Sequence, residues 1–381
     1  MIIRNALIHD AVRREPYEGD IVIRGGKLVS VGGTADAEDE ILDAGGLNVW
    51  PGFVDAHSHI GLDGYGGPTG TTYDYNEKND ICTPHLRGMD SYYPMDAAIP
   101  IALAGGVTTV AAGPGSSNVL GGTFFVVKLY GRTVEEAMIR PDAAMKCAFG
   151  ENPKRCYKDK SDSARMTTAA ILRETLYCAK DYLLRKEAAG DDVSKMPKFD
   201  MKMEALIPVL KREIPLKAHA HRCDDIMTAI RIAREFGLRI TIEHCTEGHL
   251  ITEELKAAGV AVAVGPTLTN VSKPELLNKS WTTPGILAAA GIPVSIITDA
   301  PVIPQQYLSL CAGLAVKAGM DPFQALQAIT INPARHIGAG DRVGSLEAGK
   351  DADLVITGGD PMVSDSEVKY VIADGKILVR G

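Results

Sequence analysis

The chain has 381 residues, with 40 basic and 48 acidic side chains, a formal net charge of −8, 45% hydrophobic residues and 23% charged ones. That length and composition suit a folded protein with room for a barrel of about 250 residues plus a smaller unit. The mild acidity, with no basic run to offset it, excludes a general nucleic-acid or anionic-membrane binder.

Residues 1–8, 20–24 and 28–31 are β-rich, with a turn at Gly25-Gly26-Lys27. The first stretch is broken by Arg4, Asn5, His9 and Asp10 and has no leader-like apolar segment. Residues 353–357, 368–373 and 376–379 at the other end have the same β character, with a tight-turn signal at Ala373-Asp374-Gly375. Two β-rich ends around a different middle predict a small β-sandwich built from residues 1–49 and 341–381.

The middle, residues 50–340, alternates. Short apolar strands are expected at 52–56, 107–111, 143–149, 216–220, 239–243, 260–264 and 293–298. Helical runs lie between them, including 166–187, 224–236, 251–258 and 307–318. This alternation predicts an α/β fold, a (β/α)8 TIM-like barrel. Two segments, 61–93 and 113–122, break the rhythm and read as long loops. Barrel sites are built from the loops after strands, so these loops and 301–306 are where substrate contacts are expected. No apolar run approaches the about 20 residues of a membrane span. The seven cysteines form no CxxC pair, so neither a disulfide framework nor a zinc finger is suggested and a cytoplasmic location is the simplest expectation.

The sharpest local signal is Pro51-Gly52-Phe53-Val54-Asp55-Ala56-His57-Ser58-His59. An apolar strand ends in His-x-His, and side chains two apart share a face, so His57 and His59 are placed to clamp one divalent cation. His219, His244 and Asp299 each close a further apolar strand. Five residues of metal-binding type at the C-terminal ends of four strands describe a barrel metal site.

At these residues the chain resembles the amidohydrolase superfamily, the group of dihydroorotase, hydantoinase, imidazolonepropionase and isoaspartyl dipeptidase. Residues 51–59 resemble its first-strand motif, and ITINPARHIGAGDRVGSLEAGKDADLVI at 329–356 its C-terminal signature. AFGENPKR at 148–155 resembles the imidazolonepropionase-like members. The resemblance implies a metal-dependent hydrolase cleaving a C–N bond, in an amide, a cyclic amide or a dipeptide-like compound. It implies His57 and His59 from strand 1, His219 from strand 5, His244 from strand 6 and Asp299 from strand 8 as metal ligands, Asp299 also moving the proton. A bound cation lowers the pKa of its water to about 7, giving hydroxide at neutral pH, and an adjacent carboxylate relays the proton. Zinc is the expected ion, one or two per chain, with manganese, iron and cobalt compatible with the same donors. The resemblance also implies a homo-oligomer acting on a small molecule.

Two-metal members need a bridge from strand 4. Lys146 has the register of the family's carboxylated lysine, and Glu151 is a carboxylate at the same strand's end; Lys128 is a weaker third candidate. His221 shares a face with His219, so one serves as ligand and the other as a catalytic or substrate contact, with His219 favoured by register. Arg222 is placed either to fork a substrate carboxylate or to pair with Asp224 or Asp225. His85 and Arg87, near Tyr65, Tyr73 and Tyr75, suit a substrate-recognition loop or a loop folded on itself. His249 reads as a surface residue, and His9 and His336 have no assigned role. A deaminase of the same superfamily is the near alternative, but its glutamate three residues after the strand 5 histidine is Arg222 or Asp224 here. A non-catalytic scaffold, as in hydantoinase-like relatives that lost their ligands, fits poorly with five retained ligands.

Overall fold

A computed structural model describes residues 1–35, 40–66, 74–161 and 164–381. In chain order the strands are β1 (Ile2–Ile8), β2 (Tyr17–Arg24), β3 (Lys27–Val31), β4 (Ile41–Asp43), β5 (Asn48–Pro51), β6 (Phe53–Ser58), β7 (Val107–Ala112), β8 (Leu120–Lys128), β9 (Met138–Ala148), β10 (Leu216–Ala220), β11 (Ile240–His244), β12 (Ala261–Val264), β13 (Val294–Ile296), β14 (Leu354–Thr357), β15 (Val368–Ala373) and β16 (Lys376–Arg380). They form two eight-stranded sheets.

The barrel sheet runs β6 to β13 in sequence order. Its strands are almost wholly buried, because helices cover the outside and side chains fill the inside. The edges β6 and β13 adjoin where Asp55 accepts bonds from the Thr298 N–H (3.0 Å) and hydroxyl (2.6 Å). Seven strands point the same way, but β8 is antiparallel to both β7 and β9. This corrects the expectation of an all-parallel (β/α)8 barrel and of a loop throughout 113–122. The connections 113–119 and 129–137 are too short for a parallel crossover, which needs a dozen or more residues. From β9 onward the expected alternation holds. The helix Cys223–Phe236 shows why it forms: Ile226, Ala229, Ile230 and Ala233 bury one stripe. It stops at Gly237, whose φ of 69° lets its N–H return to Ala233 and Arg234 carbonyls.

Strands from both ends meet in the second sheet, ordered β16-β15-β14-β5-β1-β2-β3, with β4 also paired to β1. Its buried cluster includes Ile3, Ile21, Leu28, Val49, Leu354 and Ile372. The Lys128 ammonium, at the end of β8, ties the barrel to this sheet through Asp351 (2.8 Å), Asp353 (2.9 Å) and Asp374. No helix among the described residues is long and apolar enough to cross a membrane.

Candidate metal centre

Five histidines and one aspartate converge at the C-terminal end of the barrel. His57 is on β6, near its end, and His59 follows it; His219 is on β10, His221 just past it, His244 closes β11, and Asp299 follows β13. One nitrogen or carboxylate oxygen from each of His219, His221 and His244 lies within 4.8 Å of the others, and the same holds for His57, His244 and Asp299. His244 belongs to both sets. His59 Nε2 is 3.3 Å from Asp299 Oδ1 and His57 Nε2 is 3.6 Å from it.

Every one of these rings is anchored through Nδ1. His57 donates to Glu243 Oε2 (3.0 Å), His59 to the Gly113 carbonyl (2.7 Å) and His244 to the Gly265 carbonyl (2.8 Å). His219 bonds the Ser116 hydroxyl (2.9 Å) and His221 the Thr246 hydroxyl (2.7 Å). Carboxylate and carbonyl oxygens only accept, so in His57, His59 and His244 the proton sits on Nδ1 and the Nε2 lone pair faces inward. Nε2 of His219 and of His244 is buried without a hydrogen-bond partner among the described residues. An orphaned buried nitrogen is costly unless something else satisfies it. Burial pushes the His57, His219 and His221 pKa values well down and that of His244 to about 4, keeping the rings neutral as ligation requires. Burial opposes ionisation of Asp299, but His244, His59 and His57 outweigh it and hold the carboxyl well below its usual range. Anchored imidazoles with inward lone pairs are what a divalent cation needs, so the donor set fits one.

The backbone stores strain here. His244 has φ 72° and Asp299 φ 54°, left-handed values that non-glycine residues adopt at a cost. Strict alternation would put Glu243 and His244 on opposite faces, yet both reach His57, Glu243 at Nδ1 (3.0 Å) and His244 within 4.8 Å; the alternation breaks at the left-handed His244.

Lys146 is fully buried on β9, with Nζ 3.1 Å from His57 Nε2. Burial lowers its pKa to about 8. Glu151 is elsewhere: at the start of the helix Glu151–Tyr157, paired with Lys154 (3.2 Å) and Arg165 (3.0 Å). Those two cations claim its carboxylate, so the bridging expectation for Glu151 is corrected, and Lys128 is likewise spent on its three aspartates. His221 joins His219 in one ligand set, with Lys273 Nζ 3.3 Å from its Nε2.

A cavity of about 470 Å³ opens on the centre, lined by His59, His219, His221 and Asp299 together with Tyr75, Asn76, Asn152, Arg155 and Lys273. The expected loops do reach this wall, through Tyr75, Asn76, Ser116 and Pro301, but Arg222, His85 and Arg87, the side chains singled out from sequence as substrate contacts, are not on it. Arg222 is captured by Asp224 two residues on, through Nε (3.0 Å) and Nη2 (2.9 Å). Arg87 reaches Asp142 (3.4 Å) on the exposed surface. His85 and Tyr65 lie outside this wall, and Tyr73 lies outside the described residues. Tyr75 stacks on His59 at 4.8 Å.

Sequence reasoning missed Glu243 and Asp55. Glu243 is fully buried and accepts from His57, Lys217 (2.7 Å), Thr241 (2.8 Å) and His336 (2.8 Å). Burial raises its pKa, but Lys217 and His336 outweigh that and keep it ionised. The available signal was an acid inside the apolar strand Ile240–His244, since a charge there must be paired. Asp55, held at a pKa of about 6 by burial, bonds the His57 N–H (3.0 Å), Thr298 and Gln305 (2.6 Å), fixing the segment that carries Asp299.

A barrel with a histidine–aspartate cluster that could hold a divalent cation at the C-terminal ends of its strands is the class of site this fold defines. Residues 48–378 match the model of the Amidohydrolase family, and the chain belongs to that family as an imidazolonepropionase-like member. It is similar to the crystal structure of an amidohydrolase from Thermotoga maritima MSB8, 41% identical, with a TM-score of 0.96 and complete coverage of both chains. It is 30% identical to the amidohydrolase tasK of Hapsidospora irregularis over 94% of this chain and 39% of that one; the chain thus spans well under half of that relative. It is 26% identical to an imidazolonepropionase of Solibacter usitatus over 89% of this chain and 84% of that one.

Proposed function

We propose that this protein is a metal-dependent hydrolase that cleaves a C–N bond in a small amide, cyclic amide or dipeptide-like compound. The observation that carries the reading is the set of five Nδ1-anchored histidines with Nε2 turned to one centre beside Asp299. A divalent cation there, with zinc the expected ion, supplies Lewis acidity toward a carbonyl oxygen and acidifies a water. His57, His59, His219, His244 and Asp299 would hold it, as the relatives' family suggests. Lys146 is the candidate bridge between two ions. Its lowered pKa leaves a fraction of the amine neutral near pH 7, the form that can take up carbon dioxide as a carbamate.

The protein's own groups do the rest. Asp299, kept ionised, takes a proton from the attacking water and returns it to the leaving nitrogen. Arg155, which has no carboxylate partner among the described residues, and Lys273, which is paired with Glu275 (2.8 Å), are the cations on the cavity wall. They favour a substrate that carries an anionic group, with Asn76 and Asn152 as neutral partners.

Metal content per chain, measured by elemental analysis on wild type, Lys146→Ala and Glu151→Ala, tests this. Two ions falling toward one in Lys146→Ala alone supports the bridged hydrolase. One ion unaffected by either change moves the reading to a single-metal, deaminase-like enzyme. No bound metal even after supply overturns it.

A further inference from the structure

A second cavity, of about 660 Å³, lies at the opposite end of the barrel, where strands β10 to β13 begin: Pro215, Arg239, Val260 and Pro293 are on its wall. The metal centre is at the other ends of the same strands, so the two cavities are separate. This rear wall carries Arg212, Arg234, Arg239 and Arg335 and no acidic residue, in a chain whose net charge is −8. None of the four guanidinium groups pairs with a carboxylate among the described residues. Arg239 Nη1 reaches only the Arg212 carbonyl, at 3.4 Å, and Arg335 influences Glu347 without pairing with it.

A second observation points to a ligand. His336 is on the same wall with its side chain 2% exposed. Its Nε2–H donates to Glu243 Oε1 (2.8 Å), and its Nδ1 is buried with no partner among the described residues. Buried polar atoms of this kind are normally satisfied. Unpaired like charges gathered in a concavity repel one another and focus a positive potential into it. Arginine forks match phosphate and carboxylate oxygens two at a time. The apolar parts of the wall, including Ile230, Leu238 and Ile292, suit a carbon skeleton between the charges.

We propose that this rear cavity is a binding site for a small organic anion carrying two or more phosphate or carboxylate groups, held by Arg239, Arg335, Arg212 and Arg234 with His336 Nδ1 as a polar contact. The site stands one residue from the metal centre's support, since Glu243 bonds His336 through Oε1 and His57 through Oε2.

The test is isothermal titration calorimetry on the metal-loaded full chain at about 150 mM NaCl, with fructose 1,6-bisphosphate and, separately, propane-1,2,3-tricarboxylate. The expected result is one saturable site per chain for at least one probe, weakened about tenfold or more by Arg239→Gln and by Arg335→Gln. Arg239→Lys, which keeps the charge and loses the fork, should weaken binding less. A response to the bisphosphate alone assigns a phosphate ligand; a response to the tricarboxylate alone assigns a carboxylate. Binding that is lost in Arg155→Gln or Lys273→Gln instead places the anion in the front cavity and overturns the proposal. So does the absence of saturable binding by both probes in a protein whose melting curve is intact.

Discussion

Two buried lysines of one barrel have opposite surroundings. Lys128, at one end of β8, is 3% exposed and meets Asp351, Asp353 and Asp374. Burial lowers its pKa, but the aspartates more than reverse that and the ammonium stays charged. Lys146, on the neighbouring β9, is fully buried and meets His57 Nε2, with no carboxylate in ion-pair contact among the described residues. Its pKa falls to about 8. The first nest closes on itself and joins two sheets, because Lys27 (2.5 Å) and Arg342 (2.8 Å) also pair with Asp351, setting three cations against three aspartates. The second leaves Lys146 and the Nε2 atoms of His219 and His244 without adequate protein partners. A fold does not keep such groups for stability, because each costs free energy until something binds. The comparison separates a structural charge cluster from a functional one by completeness of pairing.

The strongest way to break this division is Asp299→Asn. If the carboxylate moves the proton, turnover falls by about 10²- to 10⁴-fold while circular dichroism and melting are nearly unchanged. A variant that turns over at near the wild-type rate, with the same metal content, refutes the role. The converse change is Lys128→Met, which leaves the buried Asp353 without its cation, while Asp351 keeps Lys27 and Arg342. Removing one partner of a buried pair costs about 3–5 kcal/mol, read as a lower urea midpoint at unchanged slope. Activity per folded molecule should hold, because the nest is at the far end of β8 from Lys146. A selective loss of activity without loss of stability would erase the distinction between the two lysines.

Glu243 sits between the two types. Its carboxylate is fully satisfied, like the aspartates around Lys128, yet one of its partners is the His57 ring. Glu243→Gln keeps the shape and removes the charge that fixes the His57 proton on Nδ1. Metal affinity should fall about 10- to 100-fold, as for other outer partners of ligating histidines. Competition with a chelator of known affinity measures it. Wild-type affinity in a folded variant would show that His57 needs no charged anchor.

What was legible in the sequence follows from the same physics. The strand-end positions of His57, His59, His219, His244 and Asp299 could be read because apolar strands announce themselves and their ends are fixed by the turn that follows. The register of Lys146 was readable for the same reason. Strand β8 was not, since its Gly121-Gly122 start looks like loop and its antiparallel direction depends on two short connections rather than on local pattern. Glu151 read as a bridging carboxylate because sequence places it at the end of β9, whereas Arg165, from a helix further along, decides what it pairs with. The anchors Ser116, Thr246 and Gly265 depend on which loops meet, and no spacing reports that. Both ends were readable as strands of one unit, expected as a β-sandwich; the structure pairs them in a single sheet through β14 beside β5, a contact between residues some 300 positions apart.

The smallest expected effect concerns Arg222. From sequence it had two equal readings, a fork for a substrate carboxylate or a partner for a nearby aspartate. In the structure the fork is taken by Asp224, and both side chains are exposed, at 42% and 47%. An exposed pair of this kind contributes about 0–1 kcal/mol, and its neighbour can be solvated when the arginine is removed. Arg222→Ala should therefore leave kcat, KM and metal content unchanged and move stability by no more than about 0.5 kcal/mol. Arg155→Ala, on the wall of the front cavity, should instead raise KM for an anionic amide more than for a neutral one of the same size. If the two variants exchange behaviours, Arg222 swings away from Asp224 when substrate enters, and it, not Arg155, meets the substrate's anionic group.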